Sequence, residues 1–388
     1  MIETKQNVSV GPAAYRTRAD VGQETKGWIE FNIHDLVAFR VARDAPTASL
    51  FEDMFRPFLT EGLDDFDLTI SHQSEPLVDV AFGEAHGETD FYYNENGVYL
   101  KTQDVQIIGD GNSFRLQGRS ELLVTALPLI DRLMVTKGAA MVHALTVDYR
   151  GWGICMPAWG GSGKTSTMAK LVKLDGFSFM GDDWAFLTAG GDLLGYAKPM
   201  FIKPYHRSIY PHLFRKAHKP LIPVRFSKPI AHMTTLLHPY VTRYPRLAQI
   251  TRRWSPEHMM VTPFKAFPHA RFSQRAPLAA ALFVERVQGA SQEVVFEERD
   301  RQWMVSRLIG NFNSEMTKHS RLVMTALGAA GLVPIEQAFA EKAAVLDQAL
   351  EGKRAFLLRV PQAWSPDQAS DMIVERIHEV IGLAGIRE

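Results

Sequence analysis

From Trp28 the chain alternates apolar and polar residues. WIEFNI and LVAFRVA have a period of two with β-branched and aromatic residues, the pattern of half-buried strands. SLFEDMFRPFL places Leu50, Met54 and Phe58 at helical spacing. Short strand patterns follow in FDLTIS, LVDVAF, TDFYY, GVYLKT, VQIIG and SFRLQG, with turns such as NENG and GDGN between them. That succession predicts a mostly antiparallel module over 26–118, behind a polar leader over 1–25. Residues 119–136 predict a helix with Leu122, Leu123, Leu127, Ile130 and Leu133 on one face and Pro128 as a kink.

Beyond residue 138 the pattern changes. AAMVHALTVDY and GWGICMPA read as strands, WGGSGKT as a glycine-rich loop and STMAKLVKLD as a helix. FSFMGDDWAFLTA is a strand interrupted by two acids, and LLGYAKPMFIK is a further strand. Residues 204–276 are Pro-rich, basic and without a clear period. ALFVER and QEVVFEE resume strand character. From about residue 300 three helical patterns precede a last strand, RAFLLRV, and a last helix, PDQASDMIVERIHEVIGL. The expected class is α/β (α+β): a β-rich domain over 26–118, then a second domain over 119–388 carrying an insertion at about 204–276.

The composition fits a globular chain of two or three domains. It has 388 residues, of which 46% are hydrophobic and 22% charged. A single cysteine, Cys155, excludes an intramolecular disulfide and a multi-cysteine metal site. No run approaches the roughly 20 apolar residues of a membrane span, and the polar N-terminus lacks a signal-peptide core. The expected location is cytoplasmic. The net charge of zero hides an asymmetry: residues 201–280 hold 14 Lys/Arg, seven His and one acid, Glu257, whereas 26–118 hold 6 Lys/Arg and 17 Asp/Glu.

Candidate chemistry centres on Ala158–Thr165, AWGGSGKT, which follows the phosphate-loop pattern G-x-x-x-x-G-K-[ST] except that alanine replaces the first glycine. A strand before it and a helix after it complete the context. Glycines let backbone N–H groups converge on phosphate oxygens, and the helix adds its positive end. Gly160, Gly161, Ser162, Gly163, Lys164, Thr165 and Ser166 are the expected nucleotide-binding set. Lys164 reaches the outer phosphates, and the Thr165 hydroxyl holds Mg2+.

A second signal is Asp182-Asp183, 18 residues beyond Lys164. A parallel strand beside the loop strand would carry both acids to the same edge of the sheet. One carboxylate then holds Mg2+ and the other takes a proton from an attacking hydroxyl. His143, flanked by Met141, Val142, Ala144 and Leu145, lies on the preceding strand. On those grounds alone it reads as a core residue.

The stretch VHALTVDYRGWGICMPAWGGSGKTSTMAKLVKLDGFSFMGDD resembles the catalytic core of HPr kinase/phosphorylase over roughly residues 141–187. Gly181-Asp182-Asp183 also looks like the corresponding element of phosphoenolpyruvate carboxykinases. AKPMFIKPYHRSI is similar to a stretch of looser HPr-kinase-related kinases, with Lys203 at the lysine position and Ser208 near the serine. The resemblance implies ATP and Mg2+ as cofactors. It implies a nucleotide-binding role for Lys164 and Thr165, divided metal and base roles for Asp182 and Asp183, and a place for His143 in the site. The E-[IV]-R-G-x-G signature that usually follows the acid pair is absent, and the N-terminal module differs.

The basic segment has three readings: a pocket for an anionic substrate, a dock for nucleic acid or an anionic membrane surface, or a partner for the acidic N-terminal module within the chain or across a homo-oligomer. No RNA-binding signature is present, so nucleic acid ranks below the other two. Lys203, Arg207, Arg252 and Arg253 are the candidate phosphate clamps. The expected activity is transfer of the γ-phosphate of ATP to a hydroxyl, either a protein or peptide serine or an alcohol on a small anionic molecule. The rival is a non-catalytic ATP-sensing protein. FSFMG is a poor version of the four apolar residues that precede the metal-binding acid of ordinary P-loop ATPases, which favours the kinase.

Overall fold

The structure, a computed structural model, describes residues 27–72, 77–85, 88–202, 206–207, 209–214, 259–289 and 293–386. It is a mixed α/β arrangement that divides into two compact units. One is Met1–Lys198 with Ala270–Glu388, and the other is Pro199–His269.

In the larger unit the acidic segment forms one sheet. Its strands are β1 (Trp28–Ile33), β2 (Val37–Ala42), β3 (Leu59–Thr60), β4 (Leu68–Ser71), β5 (Ala81–Ala85), β6 (Glu88–Asn94), β7 (Gly97–Leu100), β8 (Val105–Gly109) and β9 (Phe114–Gly118). They lie in the order β3-β1-β2-β4-β9-β8-β7-β6-β5. The pairings are antiparallel except β2–β4 and β4–β9. Alternation drives this sheet, since Phe31, Ile33 and Phe39 are wholly buried while their strand neighbours are partly exposed. The helix α1 (Ala48–Met54) buries Ala48, Phe51 and Met54; of the expected stripe Met54 and Phe58 are buried, whereas Leu50 is exposed. Pro57, with its fixed φ and missing N–H, sits in a 3-10 turn that carries Phe58.

The helix α2 (Leu122–Thr136) packs on this sheet, with Leu122, Leu129, Ile130 and Leu133 in the shared core. Pro128 removes the N–H that would bond the Val124 carbonyl. The hydroxyl of Ser320 donates to that carbonyl instead, at 2.9 Å.

The second sheet starts with β10 (Ala139–Tyr149) and β11 (Trp152–Pro157). The helix α3 (Lys164–Leu171) leads to β12 (Phe177–Thr188) and β13 (Asp192–Leu194). In the smaller unit, β14 (Met200–Ile202) pairs antiparallel with β15 (Met259–Val261), beside the short helices α4 (Pro211–Phe214) and α5 (Pro263–Ala266). The larger unit continues with β16 (Arg271–Phe272), β17 (Arg275–Val287) and β18 (Val295–Arg299). Next come α6 (Arg301–Glu315), α7 (Lys318–Ala329), α8 (Ile335–Ala349), β19 (Arg354–Pro361) and α9 (Pro366–Leu383). The sheet order is β11-β10-β12-β13-β17-β19-β18, and β17 also pairs with β11, so five strands close a ring.

The expected parallel neighbour of the loop strand is a correction. β12 pairs antiparallel with β10, and β10 pairs antiparallel with β11, so β10 stands between the acids and the loop strand. β11 and β12 still run the same way, one strand apart. The expected strand 193–203 is also divided, into β13 of the larger unit and β14 of the smaller.

Among the described residues no helix is long and apolar enough to cross a membrane.

Candidate functional site

Strand register assembles the site. Ala144 faces Pro157 on β11 and Asp183 on β12, while Leu145 faces Met156 and Asp182. The row Pro157–Ala144–Asp183 therefore carries the acids to the end of β11, where the glycine loop begins. His143, one residue back on β10, faces Trp184.

The loop closes onto α3 through Gly163, whose φ of 105° lies in the left-handed region that side chains rarely adopt. Lys164 is buried, and its Nζ donates to the Ala158 carbonyl at 2.7 Å and to the Trp159 carbonyl at 3.4 Å. Burial lowers its pKa, against the opposing pull of Asp183, Asp182 and Glu315. The next residue, Thr165, donates its hydroxyl to Asp182 Oδ2 at 2.9 Å. Ser162 and Ser166 are buried, and Ser162 Oγ has no hydrogen-bond partner among the described residues.

The two acids have opposite electrostatics. Asp182 is 4% exposed, and its Oδ1 has no partner among the described residues. Burial, with the Asp183 charge beside it, pushes its pKa up to about 7 against Thr165, Lys164 and Lys198. Burial would raise Asp183 as well. The ammonium of Lys198, 2.9 Å from Asp183 Oδ2, and His143 overcome it and hold Asp183 well below the usual carboxylate range. His143 Nε2 lies 3.7 Å from Asp183 Oδ1. Asp183 also has a φ of 100°, an uncommon backbone for a non-glycine residue and of the kind that clusters at functional sites. Gly181 is required on its own account: a Cβ there would lie 2.8 Å from the Trp184 carbonyl oxygen.

Lys164, Thr165, Asp182, Asp183 and His143 are thus brought together, beside Gly160, Gly161, Ser162, Gly163 and Ser166 of the loop and its helix. Arg207 belongs to the smaller compact unit. Lys203, Ser208, Arg252 and Arg253 lie outside the described residues.

Three further residues join the cluster. Lys198 follows β13 and faces Asp183. Asn311 and Glu315 lie one turn apart on α6, hence on one face. Asn311 Nδ2 donates to the His143 carbonyl at 2.7 Å, and the Gly160 N–H donates to Glu315 Oε1 at 2.9 Å. The only sequence signal for the last two is a polar pair beside the apolar stripe of Met304, Val305, Leu308 and Phe312, and nothing in it points to residue 143 or 160.

A scan against protein-family models found no match, and a search of the curated proteins found no similar chain.

Proposed function

We propose that this chain is an ATP-dependent phosphotransferase with an HPr-kinase-like core, akin to the nucleotide-binding core of phosphoenolpyruvate carboxykinases, that passes the γ-phosphate of ATP to a hydroxyl acceptor. The carrying observation is the division of labour between the two acids behind the glycine loop. Asp182 meets the loop threonine and keeps a buried, unpartnered oxygen. Asp183 is held anionic by Lys198 and His143.

Thr165 and Asp182 suit Mg2+. A buried carboxylate that resists ionisation and has a spare oxygen gains most from a divalent cation. Among the described residues no group of three or more His, Cys, Asp or Glu forms a cage. Mg2+ normally takes one or two carboxylates plus substrate phosphates, so the donor set agrees with a nucleotide-borne ion. When bound, Mg2+ neutralises charge building on the phosphates.

Lys164 turns from the loop carbonyls toward the outer phosphates. Asp183 accepts a hydrogen bond from the acceptor hydroxyl and takes its proton as that oxygen bonds the γ-phosphorus and the bond to the ADP oxygen breaks. A strongly acidic carboxylate serves here because the transition state is loose and positioning dominates.

The test is a transfer assay with labelled ATP and Mg2+. The reading expects slow hydrolysis alone and faster label transfer when a hydroxyl acceptor is supplied. Tight ATP binding with no turnover under any condition would favour an ATP-sensing protein instead.

A further inference from the structure

Glu315 puts a carboxylate where a phosphate oxygen belongs. Its Oε1 accepts the N–H of Gly160, the first glycine of the loop and one of the amides such loops aim at phosphates. The same oxygen lies 3.9 Å from His143 Nδ1, so one small rotation separates two partners. That nitrogen also faces Asn311 Oδ1 at 3.5 Å, and Asn311 is fixed by its bond to the His143 carbonyl. The Glu315 side chain is 30% exposed, whereas His143 is 6% exposed.

Two anions cannot share one amide. An incoming phosphate must displace the carboxylate, and the nearest group that gains from it is His143, whose other face is 3.7 Å from Asp183. We propose that Glu315 is a gate and positioning residue: it occupies the Gly160 N–H in the empty loop, yields that amide to nucleotide phosphate, and moves onto His143 Nδ1, orienting the ring that supports Asp183. This rests on reading the loop as a nucleotide site.

A mere brace for the loop would act with the opposite sign, which makes the proposal testable. ATP·Mg2+ and inorganic tripolyphosphate are titrated calorimetrically into the wild type, Glu315→Gln and Glu315→Ala, with melting curves as a folding control. The gate predicts about fivefold tighter binding of both probes by both variants, the effect of removing one partly exposed repulsive charge. It also predicts a lower kcat at saturating ATP for Glu315→Ala, partly restored in Glu315→Gln, whose amide oxygen still accepts a hydrogen bond. Unchanged or weaker binding by the variants, while Lys164→Ala still loses ATP, overturns the gate and leaves the nucleotide site standing. An unchanged kcat overturns the move onto His143. Absence of binding by the wild type and all variants removes the nucleotide reading, and this inference with it.

Discussion

Asp182 and Asp183 are adjacent in sequence and opposite in energetics. In the folded chain the pKa of Asp182 is about 7, above its ordinary value of 3.8. Between those values the folded state binds more protons than the unfolded one, so this group's contribution to stability falls as pH rises through that window. Asp183 shifts the other way, and its contribution is present above about pH 4 and lost as pH falls. Asp182→Asn keeps an acceptor for the Thr165 hydroxyl while removing the disfavoured charge. At pH 8 it should melt about 2 °C higher and bind ATP·Mg2+ more weakly. Asp183→Asn takes away the carboxylate facing buried Lys198 and should cost about 2–3 kcal/mol, less than for a fully enclosed ion pair because Asp183 is about a third exposed. Melting curves from pH 5 to 8 check both. Equal effects from the two changes would contradict the division of roles. The loop lysine, its threonine and both acids were legible because loop, helix and strand lie in fixed order along the chain, whereas His143 read as a core residue and entered the candidate set only through the family resemblance. Lys198, Asn311 and Glu315 were not, because only tertiary packing brings them to the acids.

At the scale of elements, boundaries were readable where local chemistry sets them. α9 begins with Ser365 and Gln368 in a reciprocal capping box and Pro366 in the first turn, and it spans the expected 366–383. β10 and β11 likewise follow their apolar runs. Pairing was less readable: the strand between the loop and the acids, and the division of 193–203, depend on long-range contacts that alternation does not encode. The Pro128 position shows how a local defect is repaired from far along the chain. Its missing N–H leaves the Val124 carbonyl to Ser320, 196 residues away. Ser320→Ala should therefore destabilise the chain by about 1 kcal/mol, the net worth of a typical hydrogen bond, since the acceptor is only partly buried. Urea unfolding measures it, and a change below a few tenths would show that the carbonyl finds another donor.

For the whole molecule, the acidic sheet and the ring-closing sheet belong to one compact unit. The boundary near residue 118 therefore separates sheets within that unit, and the second compact unit is Pro199–His269, which overlaps most of the basic segment. Charge counts exposed this asymmetry, but they carry no direction, so what the basic segment meets is not written in composition. The central claim is that the loop from Ala158 to Thr165 holds nucleotide phosphate. Calorimetric titration of ATP·Mg2+ into the wild type and Lys164→Ala tests it most directly. Loss of a charge-assisted contact worth roughly 1.5–3 kcal/mol should weaken binding at least tenfold in a variant that melts normally. Equal affinity in the two proteins, or no binding by the wild type, would contradict it.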